Sequence, residues 1–174
     1  MKHRLEMYKK TFLLFTMLLS SIAVLSQSID PKFQAVFING VARKVTWSSS
    51  KPTFTILVVG NDKSLVGELE KLASAKQING KSVSVSTVEV ISGKLDQDIV
   101  FVSKKGKEQI ENVLSAVSTH TMVMSAYDGA LDKGSHLNFF LKGNKISFNL
   151  NKTEIEKTNL RVTDELVKLA SSTK

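Results

Sequence analysis

The stretch Phe54-Thr55-Ile56-Leu57-Val58-Val59-Gly60-Asn61-Asp62 decides the fold class. It begins with a continuous run of β-branched, aliphatic and aromatic side chains, which is typical of a strand buried on both faces of a parallel sheet. Gly60 ends the run, and Asn61-Asp62 can cap a helix that begins at about Lys63. Helical spacing of apolar residues continues to about Ser74, so this stretch predicts a strand, a tight turn and a helix in succession.

Short apolar runs and helical patterns alternate along the rest of the chain. Such alternation is typical of a parallel sheet that is covered by helices on both faces. Serines alternate with valines in Val83–Val88, which indicates a wetter strand at an edge. The other predicted elements are strands Ile99–Val102 and Thr121–Ser125, helix Gly106–Ser118, loop Ala126–Ser135, and a hairpin of Leu137–Leu141 with Lys145–Leu150. The sequence therefore predicts an α/β fold: a mostly parallel sheet with helices on both faces plus an antiparallel β-hairpin near the C-terminus.

The first helix of this fold is predicted over Ile29–Val45. Asp30 supplies an N-cap, and Pro31 suits the first turn. Apolar residues follow at helical spacing, and we expect them to form the face of the helix that packs. The residues on this spacing are Phe33, Val36, Phe37, Gly40, Val41 and Lys44.

Helix ends are also marked near the C-terminus. Asn151–Glu154 has the spacing of a capping box, which opens a short helix to about Thr158. Asn159 can take the left-handed position that follows a helix. Thr163 or Asp164 caps a last helix that runs to about Ala170.

Residues 1–26 have the three parts of a secretory signal peptide: a basic start, an apolar stretch over Thr11–Leu25, and small residues before Gln27. The apolar stretch is shorter than the roughly 20 residues that span a bilayer. We therefore expect cleavage near Ser26/Gln27 and a periplasmic domain of residues 27–174. The removed segment carries a net +3 of the chain's +8, so the mature domain would carry +5.

Composition excludes several classes of protein. The chain has no cysteine, which excludes disulfides, thiolate metal sites and thiol nucleophiles. Its three histidines are few for a His-based metal site. With 174 residues and 42% hydrophobic residues it can form one domain with a buried core. The basic residues lack the interleaved aromatics of a nucleic-acid-binding sheet, so the sequence predicts no nucleic-acid partner.

The strand ends supply candidates for a small-ligand site. In an open parallel sheet, ligands bind in the crevice at the carboxyl edge of the strands. The alternative is structural: a tight turn with an N-cap after the first strand, and a solvated basic turn at Lys104-Lys105-Gly106-Lys107. The sequence has no Gly-rich phosphate fingerprint and no P-loop lysine. The candidate ligand-binding residues are Gly60, Asn61, Asp62, Lys104, Ser125 and Asp128.

Other polar and aromatic residues carry two interpretations each. Trp47 can be a partner-binding anchor, because Trp is enriched at interface hot spots, or a plug in the core. Asn138 and Asn151 can orient a ligand or satisfy backbone groups at strand ends. His120 and Ser125 stand at opposite ends of one predicted strand, roughly 16 Å apart, too far for a catalytic pair. The sequence therefore predicts no catalytic residue, no metal site and no cofactor.

Five segments carry a resemblance to a known family. They are the helix Phe33–Val45 that closes on Trp47; Ile56–Asp62; Ile78–Val83; Gly134–Phe139, which includes Asn138, together with Phe148-Asn149-Leu150-Asn151; and Asn159-Leu160-Arg161-Val162 followed by Leu166–Ala170. This colinear set resembles the YfiR family of small exported bacterial proteins over residues 31–171. Two positions depart from the family pattern: Ser48 stands where a Pro is expected after Trp47, and Asn159 where a Gly is expected.

The resemblance implies an exported α/β domain that regulates and does not catalyse. The best-known members bind the external sensor domain of a membrane diguanylate cyclase and repress it, and the response to redox state uses cysteines. This chain has none, so any switch would work by another route. The implied partner is the external domain of a membrane sensor protein, with a homodimer as a further possibility. A periplasmic small-ligand-binding module is the alternative function.

Overall fold

A computed structural model describes residues 28–174 of the chain. The predicted signal peptide, residues 1–26, lies outside the described residues. The helices are α1 (Pro31–Ala42), α2 (Lys63–Ala75), α3 (Ile110–Ala116), α4 (Lys152–Glu156) and α5 (Asp164–Leu169). The strands are β1 (Val45–Thr46), β2 (Thr53–Val59), β3 (Ser82–Val88), β4 (Ile99–Val102), β5 (Met122–Ser125), β6 (Leu137–Lys142), β7 (Lys145–Leu150), β8 (Arg161–Val162) and β9 (Ser172–Thr173).

Seven strands form the main sheet in the order β3-β2-β4-β5-β6-β7-β9. All neighbouring pairs are parallel except β6 and β7, which form the antiparallel hairpin. β3 lies at an edge, as its alternating serines indicated. The predicted fold class is therefore confirmed. A second, two-stranded antiparallel sheet joins β1 to β8 and ties the end of α1 to the C-terminal segment.

Each face of the main sheet carries its own hydrophobic core. One face packs against α1 and α2, with Phe54, Phe101 and Phe139 among its largest buried side chains. The other face packs against α3 through Ile110 and Val113. The central strands are buried on both faces, as the uninterrupted apolar run in β2 predicted.

The packing face of α1 differs from the predicted one. Asp30 caps the helix as expected, since its carboxylate accepts from the Lys32 backbone N–H. However, Phe33 and Val36 are exposed, so their assignment to the packing face was wrong. A second stripe, which contains two alanines, lies against the sheet and lets the helix approach it closely. The buried residues of α1 are Gln34, Ala35, Ile38, Val41 and Ala42.

Two other details differ from the expectations. The helix predicted from Gly106 begins as a 3-10 turn over Lys104–Gln109 and becomes α-helical only at Ile110. Asn159 does not adopt a left-handed conformation. Among residues 28–174, Asn79 is the only non-glycine residue with a positive φ. The C-cap of α4 is instead Lys157, two residues earlier, and the Asn159 N–H donates to the Thr119 carbonyl at 2.8 Å.

Candidate functional site

An open groove of about 930 Å³ lies at the carboxyl edge of the parallel strands and extends along β6. Asp62, Lys104 and Asp128 line it, although they come from three separate strand–loop junctions. The groove is therefore where the sequence analysis expected a ligand crevice. The other three candidates, Gly60, Asn61 and Ser125, do not line it.

Gly60 does not line the groove because it packs closely against Ser103 and Gly106. Its φ is +94°, and a Cβ built on it would lie 2.4 Å from the Gly106 backbone N. A Cβ on Gly106 would in turn lie 2.4 Å from the Val59 carbonyl oxygen. The turn after β2 can pack on the turn after β4 only because Gly60 and Gly106 both lack a Cβ. Their role in the described structure is to bring Asp62 and Lys104 to one edge.

Asp62 and Asn61 also have local structural contacts. The Asp62 carboxylate accepts from the Leu65 backbone N–H at 3.2 Å and so caps α2. The Asn61 side-chain amide donates to the Glu89 carboxylate at 2.8 Å, and the Asn61 backbone carbonyl accepts from the Lys105 ammonium at 3.1 Å. Asn61 thus faces the loop after β3, while one oxygen of Asp62 remains for the groove.

Ser125 belongs to a buried polar network that holds Asn138 in place. The Ser125 hydroxyl donates to the Asn138 side-chain oxygen at 2.8 Å and lies 2.9 Å from the Ser135 hydroxyl. The same Asn138 oxygen accepts from the Tyr127 backbone N–H at 3.2 Å. The network fixes the Asn138 side chain between β5 and the loop that follows it. Asn151, by contrast, caps α4 through a bond from the Glu154 N–H at 3.1 Å.

Two nearly buried amides face the groove with unused hydrogen-bonding capacity. Gln34 is 6% exposed and Asn138 is 8% exposed, and both line the groove. Among residues 28–174, none is hydrogen-bonded to the Gln34 side-chain amide or to the Asn138 side-chain NH₂. Neither side chain is among those of the described residues whose polar atoms are buried without a partner, so both amides are open to the groove. A bound molecule could supply the partners.

Carboxylates outnumber ammonium groups along the groove. Asp62, Asp128 and Asp132 line it together with a single lysine, Lys104. Tyr127 adds a phenol whose oxygen is buried without a hydrogen-bond partner. Burial, and secondarily the negative charge of Glu108, raise the pKa of Tyr127 to about 12, so it stays neutral. The groove is acidic on a basic protein, which disfavours phosphate-bearing ligands.

A smaller cleft of about 440 Å³ lies at the opposite edge of the sheet and is lined by His136. The His136 Nδ1 accepts from the Val123 backbone N–H at 3.1 Å, so in the neutral ring the proton sits on Nε2. Burial lowers the pKa of His136 to about 4, although the negative charge of Glu154 opposes this shift. His136 is therefore a neutral structural histidine at pH 7.

Trp47 is half-buried at the end of β1. Its indole N–H donates to the Ala42 carbonyl at 2.8 Å, and its ring packs edge-on against Phe54 with centroids 4.9 Å apart. It also lines a second cavity of about 440 Å³ with Arg43 and Thr163. Trp47 thus joins α1 to the sheet while part of the ring remains accessible, and its contact with a partner stays a prediction.

His120 does not approach the Ser125 hydroxyl network. Its Nε2 lies 2.7 Å from an Asp96 carboxylate oxygen and 3.0 Å from the Ser118 hydroxyl. Over residues 28–174, no three His, Asp or Glu side chains come close enough together to hold a metal ion. Within the same residues, no helix is both long and apolar enough to cross a bilayer.

Gln34 and Tyr127, which were not among the candidate residues, also line the groove. Gln34 was hidden because the spacing of Phe33 and Val36 pointed to another face of α1. Its position beside Ala35 and one turn before Ile38 was the available signal, since these small and branched residues mark the stripe that packs. Tyr127 lies two residues after Ser125, inside a loop where no periodicity applies.

The fold and the groove define a class of protein: a three-layer α/β domain with a polar crevice at the carboxyl edge of its parallel strands. A family model described as YfiR/HmsC-like matches residues 31–171. The chain therefore belongs to the YfiR/HmsC-like family. The match includes Asn138, Phe148, Asn151 and Leu160, the positions that carried the resemblance. Proteins of this family are regulators of periplasmic type and are not typically catalytic.

Solved structures share the fold at low sequence identity. A conserved domain protein from Vibrio cholerae O1 biovar El Tor is 16% identical, with a TM-score of 0.60 over 85% of this chain and 62% of that one. An ABC domain in complex with L-Trp from Streptococcus pneumoniae is 10% identical, with a TM-score of 0.54 over 83% of this chain and 62% of that one. The chain thus spans less than two thirds of each. No curated protein sequence matches it significantly.

Proposed function

We propose that this protein is an exported, periplasmic regulator that binds the external domain of a membrane signalling protein, such as a diguanylate cyclase. The observation that carries the proposal is the family match over residues 31–171, which includes nearly every described element. The predicted signal peptide of residues 1–26 supports export. We assign the protein no catalytic role.

The switch in this regulator would not be a disulfide, because the chain has no cysteine. Regulation would instead depend on reversible binding at the protein surface. Trp47 is our proposed partner contact, since its ring is large, anchored by one hydrogen bond and still partly accessible.

Affinity capture tests this function. The full chain, carrying a C-terminal tag, is expressed in its host, crosslinked in intact cells and recovered from the envelope fraction. We expect a membrane protein with an external domain to be enriched over an exported control domain of similar charge. Recovery of no membrane protein above the control would contradict the proposal.

A matched pair of variants tests Trp47. Trp47→Phe keeps an aromatic ring against Phe54 and removes only the indole N–H bond, which is worth about 1 kcal/mol. Trp47→Ala removes the accessible ring as well. If Trp47 contacts the partner, Trp47→Ala loses capture while circular dichroism shows a folded protein, and Trp47→Phe retains most of it. Equal capture by both folded variants would exclude Trp47 from the interface.

The unpaired amides of Gln34 and Asn138 favour a second candidate, a small-ligand-binding module. The acidic groove would select neutral or cationic polar molecules over phosphates. Thermal-shift screening against amines, amino acids that include tryptophan, nucleotides and inorganic phosphate tests it. A ligand at 100 times its Kd would stabilise the fold by about 2.7 kcal/mol. A hit that Gln34→Leu and Asn138→Ala leave unchanged would not occupy this groove.

A further inference from the structure

The cleft of about 440 Å³ that His136 lines shares only Asp132 with the larger groove. It lies between the end of α3, the loop before β6 and the α4 helix. Its volume falls within the roughly 300–1,000 Å³ of ordinary small-molecule sites. Hydroxyl, ammonium and carboxylate side chains form most of its lining, so the cleft suits a polar molecule.

His136 presents an unpaired hydrogen-bond donor to this cleft. The residue is only 5% exposed, and its Nδ1 accepts from the Val123 N–H at 3.1 Å. The proton of the neutral ring is therefore on Nε2, and among residues 28–174 no group accepts from it. Nε2 is not one of the described side-chain atoms that are buried without a partner. This N–H is therefore open to the cleft and needs an acceptor.

Three lysine side chains line the same cleft. Each is paired with a carboxylate: Lys157 with Glu154 at 2.7 Å, Lys174 with Asp132 at 2.9 Å, and Lys133 with Glu111 at 3.5 Å. Glu111 does not line the cleft, so the lining side chains carry one more ammonium than carboxylate. The lysines are between 49% and 63% exposed, and exposed ion pairs contribute only about 0–1 kcal/mol. Their ammonium groups can therefore turn towards an anionic ligand.

The remaining polar groups suit the hydroxyls of a ligand. The Thr153 hydroxyl has no hydrogen-bond partner among the described residues. The Thr119 hydroxyl accepts from the Asn159 amide at 3.0 Å and keeps its own proton to donate. Asp132 and Glu154 each retain one carboxylate oxygen as an acceptor. These two carboxylates would also repel a doubly charged phosphate, so the lining favours a single carboxylate accompanied by hydroxyls.

We propose that this cleft binds a small hydroxy acid of the sugar-acid class, whose carboxylate accepts from the His136 Nε2–H and faces the lysines of the rim. A hydrogen bond to a charged acceptor is roughly twice as strong as one between neutral groups. The neutral ring already donates at pH 7, so binding requires no protonation. The proposal goes beyond the regulatory function and is independent of the larger groove.

NMR titration of the ¹⁵N-labelled protein tests the site. The full chain is expressed with its own N-terminal segment and purified as its host processes it. D-Glucuronate should shift the ring signals of His136 and the amide signal of Val123, which bonds to that ring. D-Glucose keeps the sugar ring and lacks the carboxylate, so it should bind at least about tenfold more weakly. Inorganic phosphate should also bind more weakly, because a second charge meets the two carboxylates.

The bound carboxylate should also raise the pKa of His136. Burial holds this pKa at about 4 in the free protein, and a negative charge close to the ring should raise it by at least about one unit. The charged side chains that face the ring across the cleft are Asp132, Lys133, Glu154, Lys157 and Lys174. They are present with and without ligand, so a comparison of the free and the glucuronate-bound protein isolates the effect of the ligand.

Variants identify the residues that bind. His136→Asn retains an acceptor for the Val123 N–H, but its shorter amide does not extend to the position of Nε2, so glucuronate should bind at least about tenfold more weakly. Lys133→Met removes the ammonium whose partner lies outside the cleft and should weaken binding roughly two- to fivefold. Lys94→Met is its matched control, because it removes an exposed lysine that does not line the cleft. It should leave binding unchanged.

Three results would overturn the proposal. The first is an absence of change in the His136 and Val123 signals throughout the glucuronate titration. The second is equal or tighter binding of glucose or phosphate, which would assign the cleft to another class of ligand. The third is unchanged binding by folded His136→Asn, or, if that variant does not fold, an equal effect of Lys133→Met and Lys94→Met. Failure to capture a membrane protein bears on the regulatory function and leaves this test unaffected.

Discussion

Protonation of His136 should destabilise the fold at acid pH. In the folded protein its Nδ1 accepts from the Val123 N–H, and burial lowers its pKa to about 4. In the unfolded chain the pKa returns to its ordinary value of about 6.5. Between these values the unfolded chain binds the additional proton. The stabilising contribution is therefore complete above about pH 6.5 and is lost as the pH falls towards 4.

The magnitude follows from the two pKa values. Each unit of difference corresponds to about 1.4 kcal/mol, so the loss reaches about 2–3 kcal/mol between pH 4.5 and pH 4. This is a large part of the roughly 5–15 kcal/mol by which a domain is ordinarily stable. Glu154 opposes the shift through its negative charge, so Glu154→Gln should lower the folded pKa further, and the loss should continue to slightly lower pH and become slightly larger.

Urea unfolding at pH 7 and pH 4.5 provides the assay. His136→Asn does not titrate, and its side-chain oxygen can still accept from the Val123 N–H. The stability difference between wild type and variant should therefore shift by about 2–3 kcal/mol in favour of the variant on going to pH 4.5. His120→Asn shows how much pH dependence another His→Asn replacement brings. A difference that is equal at both pH values, or an NMR titration of His136 near pH 6.5, would refute the reasoning.

Three further predictions follow from the packing and the composition. Gly60→Ala and Gly106→Ala should each lower the free energy of unfolding by more than about 2 kcal/mol because the new Cβ has no room. Gly67→Ala, which lies in open space on α2, should raise the free energy of unfolding by up to about 1 kcal/mol. Thermal unfolding of the three variants measures the difference. Asn138→Ala removes the acceptor of the Tyr127 N–H and the shortest of the hydrogen bonds of the Ser125 hydroxyl, which keeps Ser135 and Leu137 as partners. The change should cost about 2 kcal/mol, and a loss below about 0.5 kcal/mol would show that the network contributes little to stability. Thiol reductants and disulfide-forming oxidants should leave both the urea midpoint and the captured partner unchanged, because there is no thiol to react. An effect of these reagents on capture alone would locate the redox sensor in the partner, and an effect on the urea midpoint would contradict the prediction.

Local physics made the strands and most helix ends predictable. The β2 run has no polar interruption, so only a strand buried on both sides accommodates it. Asp62, Asn151 and Thr163 cap helices in the structure as their spacing indicated, since a cap depends on contacts within a few residues. Asn159 was predicted incorrectly because α4 ends at Glu156 and is capped at Lys157, so Asn159 lies beyond the cap and bonds to Thr119 instead.

The candidate groove was predictable only in outline. Knowing that the strands are parallel was enough to bring Asp62, Lys104 and Asp128 to one edge. Gln34 and Tyr127 could not be placed there, because they arrive from α1 and from a loop with no period. Spacing also could not show which of the two apolar stripes on α1 packs against the sheet, since both stripes satisfy the helical period.

The sequence by itself determined that this is an α/β domain of one known family, without cysteine chemistry and with a signal-peptide-like start. Those properties depend on composition, on short-range periodicity and on colinear motifs. Only the tertiary structure decided which side of α1 is buried, which amides lack partners in the groove, and that two glycines hold two turns in contact. These depend on how residues distant in the chain fill the same space, and no local pattern specifies that.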